Sequence, residues 1–88
     1  MQEIKSLYNL IKEEYRAVRS YNIDRKWEEY ARNRYEHTLI TEPNDVTLIR
    51  VIRETYEEQA DSFAKAKQYL FEIRCELLKY IADLPEIR

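Results

Sequence analysis

Apolar residues recur along this chain at helical intervals. Near the start they fall at Ile4, Leu7, Tyr8, Ile11, Tyr15 and Val18, steps of three and four that set them on one face of a helix over about residues 2–19. Ser20-Tyr21-Asn22 reads as its end, and Asp24 as the N-cap of the next helix. That second helix is predicted over about 25–40, with a stripe of Trp27, Tyr30, Ala31, Tyr35 and Leu39, aromatic and polar enough to imply partial burial. The clearest break is Thr41-Glu42-Pro43-Asn44-Asp45. Proline disfavours helix in the residue before it, and Asn44 or Asp45 suits a cap.

The third predicted helix runs over about 45–82. Its seam reads Ile49, Ile52, Tyr56, Ala60, Phe63, Leu70, Ile73, Leu77 and Ile81, a stripe like that of a coiled coil. Gln59-Ala60-Asp61-Ser62 is its one weak place, where Asp61 or Ser62 could cap a fresh segment, and Leu84 with Pro85 ends it. A helix of this length spans about 55 Å, against about 25 Å for each of the first two. The expectation is therefore all-α: two short helices packed on one long helix within a single domain, 1–88. The uncovered end of the long helix would carry an apolar strip of Tyr69, Leu70, Ile73, Leu77, Tyr80, Ile81 and Leu84. Such strips mark interaction sites, and self-association or a partner subunit completing a bundle would cover this one.

Composition supports the helical reading. The 88 residues contain no glycine and two prolines, and tight strand-to-strand turns lean on glycine's positive φ. Charged residues are 36% of the chain, mixed in sign, and the net charge is −2, which argues against a strongly basic nucleic-acid binder. A lone cysteine, Cys75, allows no internal disulfide and fits an intracellular, cytoplasmic setting. No apolar run approaches a membrane span or the core of a signal peptide. The eight tyrosines suit half-buried seams and interfaces, where a ring packs and a hydroxyl stays wet.

Candidate chemistry is sparse. His37 is the single histidine and has no orienting carboxylate or nucleophile placed beside it. No His pair at i, i+4 and no Cys pair suggests a metal site. Glu13-Glu14, Glu28-Glu29 and Glu57-Glu58 are adjacent, so each pair diverges by about 100° around a helix instead of facing one substrate. Glu28 with Arg32 reads as helix-surface pairing. Cys75 beside Arg74 reads as a packed free thiol. A phosphate-cradling glycine loop is excluded outright. No cofactor and no small-molecule substrate are expected, and the chain reads as a binding protein, not an enzyme. Arg16, Arg19, Arg25, Lys26, Arg32 and Arg34 interleave with Tyr15, Tyr21, Trp27 and Tyr30. Such a mixture binds single-stranded nucleic acid by phosphate contact and stacking, although Glu13, Glu14, Asp24, Glu28, Glu29 and Glu36 dilute its field.

Two stretches resemble a known family. Leu7-Tyr-Asn-Leu-Ile-Lys-Glu-Glu14 followed by Tyr15-Arg-Ala-Val-Arg-Ser-Tyr-Asn-Ile23-Asp24-Arg-Lys-Trp27 resembles the start of the α-helical A domain of archaeal GINS proteins. There a leucine- and glutamate-containing helix leads into a hydrophobic-Asp pair, and an aromatic three residues later opens the second helix. Glu57 through Ile73-Arg74 and on to Leu84 is similar to the family's long last helix. Leu77 stands where the family usually has a lysine, the nearest being Lys79, and these 88 residues hold no counterpart of the small β-rich B domain. The resemblance implies a scaffold subunit of the replicative helicase assembly, with the MCM helicase and a RecJ/Cdc45-type partner as contacts. Apart from the resemblance, a small viral or plasmid-type helical adaptor or regulatory dimer and a helical nucleic-acid-binding domain stay open.

Overall fold

A computed structural model of the chain describes residues 6–84, and it contains two helices, not three. α1 spans Leu7–Thr41 and α2 spans Val46–Ala82. They form one antiparallel helical hairpin. The all-α expectation holds at that level, and the three-helix arrangement does not. Ile4, the predicted start at residue 2 and Pro85 lie outside the described residues.

The predicted break at Ser20-Tyr21-Asn22 is absent because nothing there obliges the helix to stop. No proline or glycine interrupts residues 7–41, so no backbone hydrogen bond is lost and no left-handed residue is needed. Asp24 caps no helix. It sits half-buried in the middle of α1, where its Oδ2 accepts a hydrogen bond from Ser62 Oγ at 3.3 Å. α2 is likewise unbroken across Gln59–Ser62.

Continuity reveals a period that the apolar residues alone conceal. In α1, Leu7, Leu10, Glu14, Ala17, Tyr21, Asp24, Glu28, Ala31, Tyr35 and Thr38 are all buried or half-buried. In α2, Ile49, Ile52, Tyr56, Gln59, Phe63, Ala66, Leu70, Ile73, Leu77 and Tyr80 are too. Both series alternate strictly by three and four, the 3.5-residue period of a coiled-coil seam. The cross-helix contacts agree on one register. Leu10, Ile73 and Leu77 form the core cluster, with Leu7 and Tyr80 packed on it. Arg74 Nε donates to Glu14 Oε2 at 3.4 Å. The Tyr21 and Phe63 rings lie 5.2 Å apart and tilted, and Tyr35 stacks on Tyr56 at 5.9 Å with their planes 3° apart.

The connection is short because its residues do several jobs. Glu42, preceding Pro43, leaves the helical region at φ −131°, ψ 55°, while its N–H still reaches Thr38 O at 2.8 Å. Asp45 Oδ1 then accepts from Leu48 N at 3.0 Å and caps α2. At the other end Ser6 Oγ accepts from Asn9 N at 3.2 Å. No described residue has a positive φ, so the turn is made without glycine.

The predicted length mismatch also disappears. α1 has 35 residues and α2 has 37, each about 52–56 Å long at the helical rise. α1 therefore covers the seam of α2 to its end, and Leu70, Ile73 and Leu77 are buried inside the hairpin instead of forming an uncovered strip.

Candidate protein-interaction faces

A helical hairpin buries one stripe from each helix and leaves both flanks bare. The residue following a seam position lies on one flank, and the residue preceding it lies on the other. Between antiparallel helices, the "following" positions of both share a face, and so do the "preceding" ones. Most of the large apolar residues exposed here fall on one flank or the other by this rule, although Ile40 does not.

On the first flank, Tyr8 follows Leu7, Ile11 follows Leu10, Tyr15 follows Glu14, Phe71 follows Leu70, Leu78 follows Leu77 and Ile81 follows Tyr80. All six side chains are exposed, Leu78 at 67%. Leu7, Ile11, Glu14, Arg74, Leu77, Leu78 and Ile81 line one apolar groove at the end of the hairpin away from the loop. On the second flank, Trp27 precedes Glu28, Tyr30 precedes Ala31, Leu48 precedes Ile49 and Val51 precedes Ile52. Together with Ala31, Arg34, Ile52, Thr55 and Gln59 they line a groove of about 310 Å³ in the loop half. The Trp27 and Tyr30 rings meet edge to face at 6.2 Å, and Trp27 is 56% exposed. The two apolar patches thus lie on opposite faces and toward opposite ends.

Of the interface residues expected from the sequence, Tyr69, Ile81 and Leu84 are exposed and Tyr80 is half-buried on the core cluster. Leu70, Ile73 and Leu77 are core residues of the hairpin. Sequence reasoning passed over Trp27, Tyr30, Leu48 and Val51 as a group. The signal was there: each immediately precedes a seam position, but the seam of α1 has to be known first.

The basic residues Arg16, Arg19, Arg25, Lys26, Arg32 and Arg34 are all exposed, but they are spread around α1 and do not converge. Arg19 and Lys26 share a shallow surface with Tyr15 and Ile23, whereas Arg34 belongs to the Trp27 groove and Arg32 Nη1 lies 3.8 Å from Glu28 Oε1. His37 is exposed near the end of α1, and Cys75 is a half-buried free thiol. Among the described residues, no three His, Cys, Asp or Glu side chains gather into a metal site, and no helix is long and apolar enough to cross a membrane. The Ile23-Asp24 pair, which opens a second helix in the resembling family, lies in mid-helix here.

These features define a class, the antiparallel helical hairpin with two apolar flanks. Comparison with protein families, curated proteins and solved structures finds no match to this chain.

Proposed function

We propose that this chain is a non-enzymatic helical interaction subunit that works by docking other helices against the flanks of its hairpin. One observation carries the reading. Most of the large exposed apolar side chains gather in two ordered patches, and an ordered patch rimmed by charge is the mark of a docking surface. The Trp27 groove has the composition of an interaction hot spot, with tryptophan, tyrosine and arginine around an apolar floor. The setting we favour is a scaffold in a DNA replication helicase assembly of GINS type. It is supported by the order of residues in Glu57–Leu84, and its partners would be the MCM helicase and a RecJ/Cdc45-type protein.

Sedimentation of the purified chain, alone and mixed with each of those proteins, tests the reading. Association at about 100 μM or below, where weak contacts are populated, should be weakened by Trp27→Glu or Ile81→Glu. A chain that stays monomeric in every mixture overturns it. A second reading, binding of single-stranded nucleic acid, draws on the surface where Arg19 and Lys26 flank Tyr15. It requires an affinity that falls steeply with salt and drops in an Arg19→Ala, Lys26→Ala double variant.

A further inference from the structure

The hairpin is too extended for its mass. It exposes 7569 Å², whereas a compact 10.8 kDa chain exposes about 5,500 Å². Its radius of gyration is 19.4 Å, against about 12 Å for a compact fold of this length. The excess, about 2,000 Å² per chain, is more than the roughly 800 Å² that each partner contributes to a standard interface. A hairpin of this shape therefore has ample surface for a stable dimer to bury.

The flank that carries Ile11 and Leu78 is built to receive that layer from a second copy. We infer that two hairpins pair through this flank about a two-fold axis along their length, forming a four-helix bundle in which α1 of each copy lies on α2 of the other. This deepens the interaction reading above and rests on it. The register fixed by the Glu14–Arg74 and Leu10–Leu77 contacts sets which residues share a level. Rotation about the long axis keeps levels and exchanges helices, so residues at one level on the two helices of a chain become opposite neighbours between copies. At the end away from the loop, Ile11 then meets Leu78 and Tyr8 meets Ile81. One turn further in, Tyr15 meets Phe71.

Charge follows the same pairing in the loop half. Arg32, which follows Ala31, shares a level with Glu57, which follows Tyr56. Glu36, which follows Tyr35, shares a level with Arg50, which follows Ile49. Both opposed pairs are of opposite sign. Apolar contacts thus close the end of the face away from the loop, and complementary ions set the register in the loop half, the arrangement that specifies partner and orientation in helical bundles. Pairing on the Ile11 flank also leaves the Trp27 groove open on both outer faces of the dimer.

Light scattering and disulfide trapping test the inference on the full chain. The wild type should be a dimer. Ile11→Glu with Leu78→Glu should raise its dissociation constant by at least about 100-fold, while Trp27→Glu with Val51→Glu should leave it a dimer. Because the first double variant could lose its fold along with its partner, a second arm avoids apolar substitution. With Cys75 replaced by Ala, chains carrying Glu36→Cys are mixed with chains carrying Arg50→Cys and oxidised gently. Cross-linked dimer should form in the mixture and not in either chain alone. Self-linking of the Glu36→Cys chain instead overturns the register, and a dimer sensitive only to the Trp27 pair overturns the choice of face. A monomeric wild type that still binds another protein through Trp27 overturns the dimer and leaves the interaction reading standing.

Discussion

The two halves of the hairpin seam are built from different materials. Away from the loop, Leu7, Leu10, Ile73, Leu77 and Tyr80 pack as an aliphatic cluster, with Leu10 and Ile73 each only 3% exposed. From the middle to the loop the seam mixes Ile49, Ile52 and Phe63 with Asp24, Glu28 and Gln59, the small Ala31 and a stacked tyrosine pair. Apolar burial contributes stability roughly in proportion to area, so the first half holds the hairpin shut. Polar and aromatic seam positions contribute less free energy but tolerate fewer alternatives in register. Strength and alignment are thus placed apart in this fold.

Substitutions in each half put numbers on that contrast. Ile73→Ala opens a hole in the aliphatic cluster and should cost about 3 kcal/mol, read as a large fall in thermal midpoint by circular dichroism. Tyr35→Ala, which removes one of the half-buried stacked rings, should cost about 2 kcal/mol; a loss equal to that of Ile73→Ala would erase the distinction between the halves. Asp45→Ala removes the cap of α2 and should cost about 1 kcal/mol, with amide exchange quickening first at residues 46–49. A double-mutant cycle on Asp24→Ala and Ser62→Ala should give a coupling of about 0.5–1 kcal/mol, the measure of how firmly the polar middle fixes alignment. Arg74→Ala should cost about 0.5 kcal/mol or less, because its side chain is more than half exposed at the contact with Glu14.

Much of α2 was legible in the sequence because its seam is written in Ile, Leu, Phe and Tyr. The loop was equally plain, since Pro43 and Asp45 act through local geometry. α1 was not. Four of its ten seam positions are Glu14, Asp24, Glu28 and Thr38, and two more are alanines, Ala17 and Ala31. Its conspicuous apolar residues, Tyr8, Ile11 and Tyr15, each sit one position past the seam. A reading weighted by hydrophobicity therefore follows the flank instead of the core, and it loses the period where Ser20 and Asn22 meet Asp24. Tertiary pairing with α2, not intrinsic pattern, keeps that stretch helical. The interface residues divided the same way. Ile81 and Leu84 are exposed, but Leu70, Ile73 and Leu77 answer to α1, whose length was misjudged.

The Leu10–Ile73–Leu77 cluster has a mechanical consequence. In an antiparallel hairpin the two ends of the described chain, Ser6 and Leu84, emerge side by side. Tension pulling them apart loads the seam layer by layer, as in a zipper, and the aliphatic layers meet that load first. They act as a latch. Once they yield, the weaker layers behind them, Asp24–Ser62 and Glu28–Gln59, should part with little further resistance, so opening under force should occur as one abrupt step. During folding the order reverses, because the loop brings its neighbours together at low entropic cost and the latch must close the longest stretch of chain.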